Sequence, residues 1–273
     1  MNRTTPEVGN ITSEERPGKR GSRSGPGKLY VVGIGPGGRP HRTFRACEAI
    51  AESRVVVGYT PYLESIADLT EGKELIASGM TFEIQRCRQA LARAAGGDIV
   101  ALISSGDAGI YGMAGLALEL AHADGIGVPI EIVPGVTAAS AAAAALGAPL
   151  MLDFAVISLS DLLIPWQSIR QRLEAVAGCD FVVALYNPRS KKRTGPLEEA
   201  VAILRSARPG QTPVGIATAA GQADQSLVVT DLDHLLEQKV DMRTVIIVGN
   251  SRTRQIDHWL VTARGYLDRV TAE

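Results

Sequence analysis

The sequence predicts an α/β fold built on two successive sheets, and three observations carry that prediction. Short apolar runs that stop at glycine or small polar residues alternate with helix-length amphipathic segments, the pattern of parallel strands joined by helices. The 273 residues are 45% hydrophobic, enough to bury one large core or two ordinary ones. A helix breaker, Gly147-Ala148-Pro149, then separates a first αβ set from a second. The units expected are 28–148 and 149–266, with tails at 1–27 and 267–273.

Residues 1–27 are rich in Gly, Pro, Ser, Arg and Glu and offer too little apolar surface to offset the entropy of ordering, so a disordered tail is expected. The stretch lacks the apolar centre of a signal peptide. The chain also has no run of about 18 apolar residues, and the expected setting is the cytoplasm, with no membrane contact. Arg3, Arg16, Arg20 and Arg23 are interleaved with acids in a chain of net charge −1, which argues against a nucleic-acid partner.

Order is expected from Lys28, where Leu29-Tyr30-Val31-Val32 reads as a strand running into Gly33-Ile34-Gly35-Pro36-Gly37-Gly38. Glycines at 33, 35 and 38 satisfy the dinucleotide fingerprint GxGxxG. Two features oppose it. Pro36 has no N–H to offer a pyrophosphate, and the second strand, Arg54 to Val57, ends in Gly58-Tyr59 without an acid for a ribose. A nicotinamide-dependent dehydrogenase is therefore the minor alternative.

A helix is expected over 42–52, irregular chain over 60–80, and a helix over 82–95 with Ile84, Cys87, Leu91 and Ala94 on its buried face. Next comes Ile99 to Gly112, in which an apolar strand stops at Ser104-Ser105-Gly106-Asp107. Ligands of open α/β sheets bind beyond the carboxyl ends of strands, so these residues are placed where a site would be. Asp107 also suits a cap on the next helix. A helix over 113–122 and a strand over 129–133 follow, and Thr137 is the expected N-cap of the small-residue helix 141–145.

The second unit reads as strand 154–159, helix 165–177, strand 181–186, helix 196–206 and strands at 214–217, 227–230 and 245–248. Trp166, Ile169, Leu173 and Val176 form one apolar face of its first helix. Between the strand and helix that follow lie Arg189, Lys191, Lys192 and Arg193, four cations within five positions. Such a run is either a solvated loop or a grip for several carboxylates.

Cys47, Cys87 and Cys179 are odd in number and widely spaced, as are the four histidines. Neither a disulfide framework nor a metal site is expected. Cys47, between Phe44 and Ile50, and Cys87, between Ile84 and Leu91, have the spacing of buried helix faces.

Four motifs in order, Gly33-Ile-Gly-Pro-Gly37, Ser105-Gly-Asp107 with Tyr111, Val133-Pro-Gly-Val-Thr-Ala138 and Tyr186-Asn-Pro188, resemble those of the tetrapyrrole methyltransferases. The resemblance spans residues 28–266, with Gly38 and Ala108 standing where the family often has Asp and Pro. Ile157 to Leu163, Ala184 to Thr194 and Val248 to Thr253 further resemble the branch that methylates carbon 17 of a precorrin, with ring contraction, in cobalamin biosynthesis. Other precorrin methyltransferases are the near alternative.

The resemblance implies two αβα domains with the active site in the cleft between them, a homodimer, and S-adenosylmethionine as methyl donor. It places Pro36, Ser105, Gly106, Asp107, Ile110, Thr137, Ala138, Tyr186 and Ala220 around that donor. Asp107, Tyr111, Asp161 and Tyr186 are the candidates for proton handling. The four cations of the 189–193 loop are the candidates for the acetate and propionate groups of the tetrapyrrole.

Overall fold

The computed structural model describes residues 27–190 and 193–267. The tail expected over 1–27, apart from Gly27, lies outside the described residues, as do Lys191, Lys192 and 268–273.

The first sheet holds β1 (Lys28–Gly33), β2 (Val55–Tyr59), β3 (Glu74–Ser78), β4 (Ile99–Ser104) and β5 (Ile130–Val133). Its order is β3-β2-β4-β1-β5, with every pairing parallel. Four helices serve it: α1 (Phe44–Glu52), α2 (Thr60–Glu64), α3 (Glu83–Ala95) and α4 (Ala114–Ala123). Alternation along β1 explains its unbroken apolar run. Leu29 and Val31 enter one core with Cys87 and Leu91 of α3, whereas Tyr30 and Val32 enter another with Ala46 and Ile50 of α1. A strand covered on both faces has no polar side.

Two helix faces differ from expectation. On α3 the buried residues are Arg86, Cys87, Ala90, Leu91 and Ala94, while Ile84 is exposed. On α1 they are Ala46, Ala49 and Ile50; Phe44 is exposed and Cys47 half-buried. In both cases an apolar side chain in the first turn is left exposed to solvent. Burial pushes the Cys87 thiol up to about 11, so it stays protonated and inert.

Helix α5 (Ala138–Leu146) ends at the two-residue strand β6 (Gly147–Ala148). The second sheet holds β7 (Phe154–Ser158), β8 (Val182–Tyr186), β9 (Pro213–Thr218), β10 (Ser226–Asp231) and β11 (Thr244–Val248), in the order β10-β9-β11-β8-β7. It is mixed: β7 and β8 are parallel, while β11 runs antiparallel to β8 and β9, and β10 to β9. Helices α6 (Trp166–Ala177) and α7 (Gly195–Ala207) cover one face. Ala142, Ala143 and Leu146 of α5 cover the other, against Ala217, Val245 and Ile247. The breaker at Gly147 thus follows a helix that packs on the second sheet. A hairpin of β12 (Thr253–Ile256) and β13 (Trp259–Thr262) closes the chain, with Leu260 opposite Gly147 of β6.

Neither β3 nor that hairpin is expected from the sequence. β3 is a largely exposed edge strand with only Leu75-Ile76-Ala77 apolar, and β12 is mostly exposed with Ile256 its one apolar residue, so each apolar signal is short. No helix among the described residues is long and apolar enough to cross a membrane.

Candidate active site

Three loops leave the carboxyl ends of β1, β4 and β5 and bond to one another through their backbones. The Ile34 amide donates to Ser104 O at 3.0 Å, Gly35 to Gly106 O at 2.9 Å and Val136 to Gly35 O at 3.4 Å. A Cβ on Gly33 would stand 2.7 Å from both Gly106 O and Gly135 N. Glycine is needed there because backbones approach without room for a side chain. The amides of Ile34 and Gly35 are therefore committed within the protein, and this GxGxxG is not a pyrophosphate cradle.

Facing these loops across a cleft of about 700 Å³ are the end of β8, the turn after β9 and the start of β11. All nine residues expected around the methyl donor line it: Pro36, Ser105, Gly106, Asp107, Ile110, Thr137, Ala138, Tyr186 and Ala220. Pro36 packs against Gly221, and the Gly38 amide donates to Gly221 O at 3.2 Å, so the first loop also bears on the second half. The wall adds residues that the sequence reading misses, among them Tyr62, Ala217, Ala219, Gln222 and Arg243. Tandem small residues running from the end of β9 into the turn, Ala217-Thr218-Ala219-Ala220-Gly221, were the signal available for that turn.

Asp107 does not cap α4. Its Oδ1 accepts from Gly109 N at 2.8 Å and its Oδ2 from Gly135 N at 3.1 Å, which ties the β4 loop to the β5 loop. Thr137 is the N-cap residue of α5 by backbone geometry, but its side chain makes no capping bond. The hydroxyl of Tyr186 takes that role from β8, accepting from Ala139 N at 2.7 Å and lying 2.5 Å from Thr137 Oγ1.

Tyr111 spans the halves in a similar way. Its hydroxyl donates to Val156 O at 3.1 Å and accepts from Ser158 N at 3.2 Å, on the open edge of β7. Its ring centroid is 5.4 Å from that of Tyr186. Partial burial raises the Tyr111 pKa above the ordinary tyrosine value.

Of the remaining candidates, Asp161, Arg189 and Arg193 lie outside the cleft lining. Asp161 has a half-exposed carboxylate 3.8 Å from Arg193 Nε. Arg193 is committed to the loops, donating to Leu159 O and, at 2.7 Å, to Asn187 O. Arg189 has Glu198 at 3.6 Å. Lys191 and Lys192 are outside the described residues.

The cleft suits a ligand that is broad, partly apolar and without phosphate. Alanine methyls, Pro36 and tyrosine rings make its walls, and the one guanidinium that lines it among the described residues, Arg243, is paired with Asp224 at 2.7 Å. An adenosyl group bearing a sulfonium needs such walls and a few backbone partners. No group of three or more His, Cys, Asp or Glu side chains able to hold a metal ion occurs among the described residues.

The family model of the tetrapyrrole (corrin/porphyrin) methylases matches residues 28–236. The chain belongs to that family. As a tetrapyrrole methylase, it is 47% identical over 238 residues to the "Probable cobalt-factor III C(17)-methyltransferase" of Salmonella typhimurium, covering 87% of this chain and 99% of that one. It is 45% identical over 249 residues to the "Cobalt-factor III methyltransferase" of Priestia megaterium, covering 90% of this chain but 46% of that longer protein. Against the "Precorrin-3B C(17)-methyltransferase" of a Sinorhizobium species the identity is 42% over 234 residues, 85% of this chain and 92% of the other. Among solved structures, the methyltransferase CobJ superposes with a TM-score of 0.83 at 39% identity, over 87% of this methylase and all of CobJ. The uroporphyrin-III C-methyltransferase of Thermus thermophilus, solved with S-adenosylhomocysteine, superposes with a TM-score of 0.63 at 25% identity, over 82% and 97% of the two chains.

Proposed function

We propose that this chain transfers a methyl group from S-adenosylmethionine to carbon 17 of a precorrin-type tetrapyrrole, with contraction of the macrocycle, in cobalamin biosynthesis. The observation that carries the reading is that all nine residues expected around the donor line one cleft. The C(17) relatives, matched along 87% and 85% of this chain, support the position methylated. The Thermus relative, solved with the demethylated donor, supports the cofactor. The same reading takes the enzyme as a cytoplasmic homodimer, which sedimentation would measure.

When bound, the donor supplies a methyl on a positive sulfur; the carbon–sulfur bond breaks as a carbon–carbon bond forms, and the electron pair stays on sulfur. In-line displacement of this kind asks the protein mainly for position, which can lower the barrier by roughly 7–11 kcal/mol. Asp107, Tyr111 and Tyr186 serve that end as positioning residues. Each lines the cleft and spends its polar atoms on joining two chain segments. Of the four proton-handling candidates, Asp161 is the one whose carboxylate makes no hydrogen bond of that kind.

The test is to incubate the protein with S-adenosylmethionine carrying a labelled methyl and, separately, precorrin-3B and cobalt-factor III. Label appearing at carbon 17 of either macrocycle is the expected result, and the one that accepts it settles whether cobalt is present. Label at another carbon, or none with both substrates, contradicts the reading.

A further inference from the structure

Arg86 is buried, 4% exposed, in the first turns of α3. Its Nε donates to Ser78 Oγ at 2.8 Å and its Nη2 to Gly79 O at 2.7 Å. The guanidinium carbon is 5.9 Å from the centre of the Tyr59 ring. It forms no ion pair among the described residues, and Nη1 has no protein partner among them.

A guanidinium held out of water without a counter-ion is costly unless its donors are met. Arg208, of comparable burial and with no ion pair among the described residues, donates through both terminal nitrogens to the carbonyls of Gly249, Phe181 and Val176 and leaves Nε alone without a partner. Arg86 has two acceptors and, in place of a third, a cavity of about 180 Å³ whose wall it forms. Tyr62, Ser105 and Tyr111 line both this cavity and the donor cleft, so the two are adjoining spaces. The rest of its wall is Tyr59, Met80 and Met113 with Gly112, Ser104 and Glu83, whose carboxylate accepts from the Thr81 amide at 3.3 Å. Aromatic rings and thioethers beside an open guanidinium N–H match a short methylene arm that ends in a carboxylate.

We propose that this cavity is a substrate subsite in which Arg86 holds the carboxylate of an acetate or propionate arm of the tetrapyrrole. The proposal rests on the methylase reading above and adds to it the residue that recognises the substrate.

The experiment is a pair of titrations on the full chain, cobalt-factor III followed by absorbance and S-adenosylhomocysteine followed by calorimetry. Parent, Arg86→Gln, Arg86→Lys and Met80→Trp are compared. Arg86→Gln should weaken the macrocycle at least roughly tenfold, as loss of one partner of a buried charged hydrogen bond does. Donor-site affinity should stay unchanged. Arg86→Lys, which keeps the charge but not the planar fork, should fall between. Met80→Trp fills the cavity from an exposed loop position and keeps Arg86 itself, and so tests the subsite even if changes at Arg86 harm folding. Parent-like macrocycle binding in both Arg86→Gln and Met80→Trp would overturn the proposal. A parent that binds S-adenosylhomocysteine but neither cobalt-factor III nor precorrin-3B would overturn the function and this subsite with it. Weakened macrocycle binding in the variants of a parent that does not bind S-adenosylhomocysteine would support the subsite and remove the donor reading alone.

Discussion

The Tyr186 hydroxyl lies 2.5 Å from Thr137 Oγ1 and also accepts the Ala139 amide, so a strand of the second sheet caps the helix that follows the first. Tyr186→Phe removes that acceptor and leaves a buried helix-end N–H unmet. Loss of a cap costs about 0.5–2 kcal/mol. Urea unfolding should show a fall of that size, together with weaker S-adenosylhomocysteine binding, because Thr137 and Ala138 line the cleft. A midpoint equal to the parent's would refute the capping role.

Asp107 accepts from two amides on two oxygens, and asparagine can offer one acceptor only. Asp107→Asn should therefore turn an NH₂ group toward Gly109 or Gly135 and cost about 1–3 kcal/mol. Had Asp107 been a simple helix cap, asparagine would have replaced it with little loss. Equal unfolding midpoints for the two proteins would restore the cap reading.

Tyr111 bonds the open edge of β7, and Tyr111→Phe should lower stability by about 0.5–1.5 kcal/mol for each bond lost. Its raised pKa has a sign consequence. The folded chain holds this proton more tightly than the unfolded chain, so the parent loses stability as pH rises through the ordinary tyrosine range. Unfolding curves taken across that range should fall less steeply for Tyr111→Phe; parallel curves would contradict the burial of this hydroxyl.

Glu131 bridges Lys28 and Arg45, each at 2.7–2.8 Å, and the Lys28 hydrogen bond, followed by that of Arg45, holds its carboxyl below the ordinary glutamate value. The folded pKa is the lower one, so the stabilisation is present above the unfolded pKa and is lost as pH falls through the folded one. In Glu131→Gln the acid limb of the stability profile should flatten. The difference should shrink in high salt, because the site is part-exposed. A salt-independent difference would place its cause outside this ion cluster.

Much of this fold is legible because its central strands are buried on both faces and its loops are stopped by glycine. β4 and its Ser105-Gly106-Asp107 end are read from residues alone, and the structure sets them on the cleft. The exposed edge strand β3 is not legible, since Glu74 and Ser78 confine its apolar run to Leu75-Ile76-Ala77. Arg86 escapes the same way: periodicity assigns the buried face of α3 to apolar residues, and an arginine there counts against burial until a cavity beside it is seen. The cation run at 189–193 is legible only in part, for the opposite reason. Charge density is visible in sequence, but Arg193 spends its donors on Leu159 O and Asn187 O, which no spacing reveals.

The most direct test of the donor site is calorimetric titration of the parent and of Ala220→Trp with S-adenosylhomocysteine, with NAD as the control ligand. Ala220 lies on the cleft wall, where an indole would fill the space assigned to the donor. The parent should bind S-adenosylhomocysteine and not NAD, and Ala220→Trp should bind neither while unfolding at a midpoint near the parent's. Undiminished S-adenosylhomocysteine binding by a folded Ala220→Trp, or binding of NAD in its place by the parent, would contradict the account.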